Sequence, residues 1–142
     1  MFLVQKEVAE RIVAKPGSKR YGALSVGVQA VAHAEKLFGV PAGAFHPPPK
    51  VDSAVIRVTP LAQPLVADRD LLRFRRLVVG LFGLRRKQLL RGLRELTGWP
   101  TERVVTAVQE AELIADSRAE TLAPSGFQKL LVALIDAGWT VN

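Results

Sequence analysis

A run of three prolines near the middle of the chain restricts the fold more than any other feature of the sequence. Pro47, Pro48 and Pro49 have fixed φ angles and no backbone N–H groups, so the segment around them can form neither a helix nor a central strand. Each proline also disfavours the helical conformation in the residue before it, which extends the restraint to His46. We therefore expect a stiff, extended arm here.

The residues that flank this arm suggest what it holds. Residues 51–58 are mostly apolar and β-branched, a pattern typical of a strand buried on both faces. Phe45 is the one phenylalanine in the arm, which would hold its ring in a fixed position. Two interpretations stay open: Phe45 fills core volume, as phenylalanine usually does, or its ring contacts a ligand.

Hydrophobic periodicity divides the chain into two regions joined by a linker at residues 61–67. In residues 1–60, strands at 1–4, 35–40 and 53–59 alternate with helices at 6–14 and 23–32. This alternation predicts part of an α/β sheet, with an antiparallel last strand. Residues 68–142 are predicted to be all helical, so the fold class is α/β plus α. The predicted helices cover residues 68–82, 85–96, 101–111 and 124–137.

Three details of the helical region can be stated in advance. Asp68 and Thr101 are placed to cap the first and third helices. Gly80 and Gly83 are expected to loosen the end of the first helix. One face of that helix should be buried, and its predicted core residues are Leu71, Phe74, Val78 and Leu81.

Basic side chains are concentrated in the first part of the helical region. The chain has a net charge of +7, and residues 69–94 alone carry nine basic and one acidic side chain, or +8. A positive field this concentrated favours a polyanionic partner, and nucleic acid is the leading candidate. A solvated helix face is the alternative, as in a helical protein-interaction domain whose arginines only increase solubility.

Several other classes of function are disfavoured by composition. The chain has no cysteine and two histidines, which excludes disulfides and makes a zinc site improbable. No apolar run reaches the ~18 residues that a membrane span needs, and no signal peptide is recognisable. We expect a cytoplasmic protein that binds neither a membrane nor a metal.

Five short motifs run through most of the chain. In order, they are Q-K-E-V-A-E-R at residues 5–11, S-K-R-Y-G-A-L-S at 18–25, F-x-P-P-P-K-V-x-S-A-V at 45–55, R-R-K at 85–87 and R-A-E-x-L at 118–122. Together they resemble the second half of the ribosomal RNA adenine N6,N6-dimethyltransferases. That family includes the small-subunit dimethyladenosine transferases and the erythromycin-resistance methylases.

The resemblance implies a fold and a set of site residues. Residues 1–60 would be the last three strands of a Rossmann-like methyltransferase sheet, and residues 68–142 a small helical rRNA-binding domain. Phe45 and Pro47 would border the pocket for a flipped target adenine. Basic side chains would bind rRNA phosphates; by resemblance these are Arg85, Arg86, Lys87, Arg91 and Arg118. The implied partner is the 16S rRNA of an immature small ribosomal subunit.

The cofactor and catalytic motifs of that family are not found in the sequence. The family binds S-adenosyl-L-methionine at a glycine-rich turn and holds the target amine with Asn-Leu-Pro-Tyr. Here the 11 glycines form no such cluster, and the only asparagine is Asn142. We expect no catalytic, cofactor-binding or metal-binding residue in this chain. By alignment, four further strands would precede Met1, and S-adenosyl-L-methionine would bind only the full-length enzyme. The alternative is a stand-alone, non-catalytic RNA-binding module.

Overall fold

The computed structural model describes residues 1–84 and 88–140. The chain divides into a first unit, Met1–Pro64, and a second unit, Leu65–Asn142. Helices and strands alternate in the first unit, whereas the described residues of the second form helices and short turns. This change agrees with the predicted passage from α/β to α.

The first unit is built on a three-stranded antiparallel sheet of order β1-β3-β2. Strand β3 is antiparallel to both of its neighbours, which confirms the predicted direction of the last strand. Two helices lie between β1 and β2 in sequence. The elements are β1 (Phe2–Gln5), α1 (Lys6–Val13), α2 (Ala23–Gln29), β2 (Ala32–Val40) and β3 (Ser53–Pro60).

The prediction that β3 is buried on both faces is wrong. Ala54 and Ile56 are buried in a core formed with α1 and α2, but Val55 is only partly buried and Arg57 is exposed. Arg57 instead forms an ion pair with Glu35 on β2, at 2.9 Å. A run of β-branched residues indicates a strand, but it does not tell how many of the strand's faces are covered.

Side chains of α2 donate hydrogen bonds to the carbonyl groups at the end of α1. The buried hydroxyl of Ser25 donates to the Arg11 carbonyl and accepts a backbone N–H at the start of α2, at 3.1 Å. The side-chain amide of Gln29 donates to the carbonyls of Ile12 and Ala14, both at 2.8 Å. The last carbonyl groups of a helix have no partners inside the helix. Here Ser25 and Gln29 supply those partners, so α1 can end where it packs against α2.

Replacing Ser25 by alanine should lower the free energy of unfolding by about 1–3 kcal/mol, because it removes both partners from buried polar groups. Urea denaturation followed by circular dichroism measures the loss. Ser125→Ala is a matched control at an exposed position, and we expect a change within about 0.5 kcal/mol. Equal losses for the two variants would mean that the Ser25 hydroxyl has no special role.

The basic turn between α1 and α2 is attached to α1. Arg20 makes ion pairs with Glu7 and Glu10, at 3.0 and 3.4 Å. Tyr21, the next residue, is 1% exposed, and burial raises the pKa of its phenol above the ordinary value. The motif at residues 18–25 therefore has a structural explanation, since Tyr21 lies in the core and Arg20 already has acidic partners.

The second unit has four α-helices within its described residues. Both predicted helix caps are wrong. A 3-10 turn, Asp68–Asp70, precedes the first of these helices, which begins only at Leu71, and Thr101 is already inside the helix that Pro100 precedes. The helices are α3 (Leu71–Gly83), α4 (Leu89–Thr97), α5 (Thr101–Glu110) and α6 (Pro124–Asp136).

The buried face of α3 differs from the prediction at two residues. Phe74, Val78 and Leu81 are buried as expected, but Leu71 is 38% exposed, and Leu77 is buried although it was not predicted. Leu71 is the first residue of the helix, and at this end the apolar face of α3 is not covered by the core.

Gly80 lies against a side chain of α4, a contact that the sequence did not indicate. That Gly80 and Gly83 loosen the end of α3 stays a prediction. A Cβ atom at Gly80 would lie 2.8 Å from Cδ1 of Leu96 on α4, and one at Gly92 on α4 would lie 3.2 Å from Cδ2 of Leu81 on α3. The two glycines therefore allow α3 and α4 to pack closely against each other.

Candidate nucleic-acid interface

A series of hydrogen bonds fixes the proline segment of the first unit. The backbone N–H of Phe45 donates to the Ala42 carbonyl at 3.2 Å, and the N–H of Ala42 donates to Oδ1 of Asp52 at 2.9 Å. The carbonyl of Asp52 in turn accepts the N–H of Lys6, the first residue of α1, at 2.9 Å. We call residues 42–52 the clasped loop, because Asp52 joins its two ends.

The clasped loop is not the straight, extended arm that three prolines suggested. It starts with a 3-10 turn, Ala42–Ala44, and its backbone bends at residues 45–47 and again at residues 50–51. The chain must return to Asp52, and this closure requires the bends. Phe45 is partly buried and Pro47 is exposed, so both retain surface that a ligand could contact.

Asp52 is the residue of this site that sequence reasoning missed. It stands as the variable position in the motif at residues 45–55, and no short-range pattern links it to Ala42. Local aspartate turns link the side chain to a backbone group about two residues away, whereas Ala42 lies ten positions from Asp52, so no signal in the sequence identified this contact.

A cavity of about 490 Å³ lies between the clasped loop and α1. Its charged lining balances three basic against three acidic side chains, so it offers a polyanion no net attraction. The lining residues are Lys6, Glu7, Glu10, Arg20, Lys50, Val51 and Asp52.

The described basic residues of the second unit lie mainly on α3 and α4. Arg91 and Arg94 are exposed on α4, and neither forms an ion pair with another described residue. On α3, Arg73 has only a long contact, at 3.8 Å, with Asp70. Helix α4 begins at Leu89, because Gln88 has an extended backbone. The predicted helix start at residue 85 lies outside the described residues.

Arg118 lies beside the start of α4. The N–H of Leu89 donates to the carbonyl of Ser117 at 2.7 Å, which joins two segments that are distant in sequence. Ala119 and Leu122 are buried and anchor the motif, while Arg118 is exposed. The other predicted phosphate-binding residues, Arg85, Arg86 and Lys87, lie outside the described residues.

The described residues do not fit S-adenosyl-L-methionine. Such a cofactor needs a glycine-rich turn between a strand and a helix. Strand β1 passes directly into α1 with Gln5 as the N-terminal flanking residue, and no glycine stands at that junction.

Within residues 1–84 and 88–140, no group of three or more histidine, aspartate or glutamate side chains is placed to hold a metal ion. None of the described helices combines the length and the apolar character needed to cross a membrane.

An antiparallel sheet with two helices, followed by a helical unit that exposes arginines on α3 and α4, defines an α/β plus α protein with a cationic helical surface. Residues 1–126 match the ribosomal RNA adenine dimethylase family, and the chain belongs to this family. A ribosomal RNA small subunit methyltransferase A from Gloeobacter violaceus is 45% identical over 140 residues, covering 98% of this chain and 50% of the relative. The Myxococcus xanthus protein of the same name is 41% identical over 135 residues, covering 94% and 48%. The chain thus spans about half the length of the curated relatives it matches.

Solved structures show the same fold. A dimethyladenosine transferase from Plasmodium falciparum superposes with a TM-score of 0.84 at 23% identity, covering 96% of this chain and 57% of the other. The 23S rRNA methyltransferase ErmE superposes with a TM-score of 0.59 at 25% identity, covering 94% and 53%.

Proposed function

We propose that this chain supplies the target-base and rRNA-binding part of an S-adenosyl-L-methionine-dependent adenine N6,N6-dimethyltransferase. Its substrate would be the 16S rRNA of an immature small ribosomal subunit in the cytoplasm, and its role would lie in ribosome biogenesis. The proposal treats residues 1–60 as the end of a Rossmann-like methyltransferase domain, residues 61–67 as a linker and residues 68–142 as an rRNA-binding domain.

The observation that carries the proposal is the clasped loop. The hydrogen bonds from Lys6 through Asp52 and Ala42 to Phe45 fix the backbone of a partly exposed phenylalanine. A flipped base needs such a flat, fixed apolar surface on which to stack. Phe45 would hold the adenine ring, and Pro47 would border the same pocket.

The second unit would bind rRNA through phosphate groups. Arg91 and Arg118 are exposed in the structure and have no ion pair among the described residues. With Arg85, Arg86 and Lys87 they would position the RNA without reading its sequence, since phosphates are the same at every base.

S-adenosyl-L-methionine would supply the methyl groups, and it would be bound by a polypeptide of the kind that forms the other half of the relatives. A stand-alone RNA-binding module is the second candidate, because the exposed arginines of the second unit would bind RNA phosphates without any cofactor.

A fusion protein separates these two functions. We join this chain to the half of the Gloeobacter violaceus relative that it does not match, and measure transfer of labelled methyl groups to unmethylated small subunits. The fusion should methylate rRNA, and the chain alone should not. Calorimetric titration of the chain alone with S-adenosyl-L-methionine should show no saturable binding, because no glycine-rich turn lets the backbone approach the cofactor.

Two results would contradict the proposal. Micromolar affinity of the chain alone for the cofactor would reveal a site within it. A folded fusion that binds the cofactor but leaves rRNA unmethylated, while the chain still binds RNA, would favour the stand-alone module.

A further inference from the structure

A second cavity, lined by arginine and tryptophan side chains, lies at the C-terminal end of α4. Its volume of about 350 Å³ is at the lower end of the range of small-ligand sites, roughly 300–1,000 Å³. Its lining combines two arginines, a glutamate and a tryptophan at the helix end. The lining residues are Arg91, Arg94, Glu95, Gly98 and Trp99.

The backbone of Trp99 is fixed by the turn that ends α4. Gly98 has a φ of +74°, a left-handed conformation that a glycine adopts without strain. The N–H of Trp99 donates to the hydroxyl of Thr97 at 3.1 Å, and this hydroxyl donates to the Leu93 carbonyl at 2.7 Å. Pro100 follows and restricts the chain further.

The indole ring of Trp99 is held from outside the turn as well. The guanidinium carbon of Arg103, on α5, lies 3.8 Å from the centre of the ring. Arg103 also donates to the Ala137 carbonyl just beyond α6, so its own position is fixed. Trp99 remains only partly buried. The ring is therefore oriented in advance and borders a cavity.

The charged side chains that line the cavity favour an anion. Arg91 and Arg94 make no ion pair with another described residue, and Glu95 lowers the net charge of the lining to +1. A net charge of +1 matches a single phosphate group better than several closely spaced phosphates. Arginine next to a fixed aromatic ring is the combination by which proteins bind unpaired nucleotides.

We infer that this cavity binds one unpaired nucleotide of single-stranded RNA, with its base stacked on Trp99 and its phosphate between Arg91 and Arg94. The inference rests on the proposed function, since it specifies a form of RNA that the second unit binds. A base inside a duplex is already stacked on both sides, so a helical RNA would not enter. Every base has a π-face, and the site should therefore tolerate many sequences.

The test uses the full chain labelled with 5-fluorotryptophan, which places a fluorine in each of the two tryptophans. Trp139 is 8% exposed and serves as an internal reference. A seven-nucleotide single-stranded RNA of mixed sequence should shift the Trp99 resonance in a saturable manner and leave that of Trp139 in place. The same sequence as a duplex, inorganic phosphate and polyglutamate should not produce this shift.

Variants then connect the shift to affinity. Trp99→Leu should weaken binding of the single strand about five- to hundredfold, whereas Trp99→Phe should retain most of the affinity. Arg91→Ala with Arg94→Ala should lower the log–log salt slope by about 0.7–1.4, and Lys129→Ala, an exposed control on α6, should leave it unchanged. Melting temperatures report whether each variant is folded.

The outcomes distinguish this inference from the proposed function. An unmoved Trp99 resonance in a chain that still binds RNA overturns the inference alone. A shift produced by polyglutamate instead of RNA assigns the cavity to a protein partner and also overturns it. If no RNA binds at all, the proposed function fails together with the inference.

Discussion

Leucine at position 45 should lower rRNA methylation by the fusion enzyme about five- to hundredfold and leave rRNA binding nearly unchanged. Base–aromatic stacking is worth roughly 1–3 kcal/mol, and a loss of that size in the transition state gives this range of rates. Binding should change little because phosphate contacts dominate it. Single-turnover methylation and filter binding on the same small subunits measure the two quantities.

The competing interpretation of Phe45 as a core residue predicts the opposite pattern. Leucine retains most of the apolar volume, so a core role gives a stability loss of about 1 kcal/mol and normal activity. Phe38→Leu is a matched control, because Phe38 is 55% exposed on β2 of the same unit. If activity follows only the melting temperature across leucine, methionine and tryptophan at position 45, Phe45 is not the stacking residue.

Alanine at Arg85, Arg86 and Lys87 together should reduce RNA affinity by about two to three orders of magnitude at 0.1 M salt. Each phosphate contact on a duplex contributes about −0.9 to the slope of log K against log salt concentration. Three lost contacts should therefore flatten the slope by about two to three units. Affinities for a small-subunit rRNA hairpin, measured at several salt concentrations, give this slope.

A control variant that loses the same net charge elsewhere shows whether RNA binding depends on where the basic residues lie or only on the total charge. Lys15, Lys36 and Lys129 are exposed and lie on other parts of the chain. Alanine at these three positions should change the slope by less than about one unit. Equal slopes for the two triple variants would mean that RNA responds only to total charge. An unchanged slope in a folded Arg85/Arg86/Lys87 variant would identify these residues as a solvated surface.

Much of the fold could be predicted because its signals are local. Prolines and glycines mark where elements end, and the apolar periodicity of α3 identifies most of its buried residues. The direction of β3 could be inferred from the position of that strand in the chain. These signals arise within a few residues of sequence, so no knowledge of packing is needed to interpret them.

The errors and omissions concern contacts between distant residues. Whether β3 has one covered face or two depends on where α1 and α2 pack. From sequence alone, Gly80 is a residue that weakens a helix. The structure adds that a Cβ atom at this position would lie 2.8 Å from Leu96 on the neighbouring helix. The clasp between Asp52 and Ala42 is a side-chain contact across a loop, and periodicity carries no information about such contacts. Trp99 stands in a Gly-Trp-Pro sequence typical of a helix end, and nothing in that sequence indicates that Arg103 of the next helix lies over its ring.

The clasped loop also has a consequence for conformational entropy. Fixing the backbone of one residue costs about 1–2 kcal/mol, and the hydrogen bond from Ala42 to Asp52 closes a segment whose ends are ten positions apart. This ordering takes place when the first unit folds. The three prolines reduce its entropic cost, because their φ angles are restricted even in the unfolded chain. A base arriving at Phe45 would therefore not have to order the loop. The free energy of stacking would remain available for orienting the base.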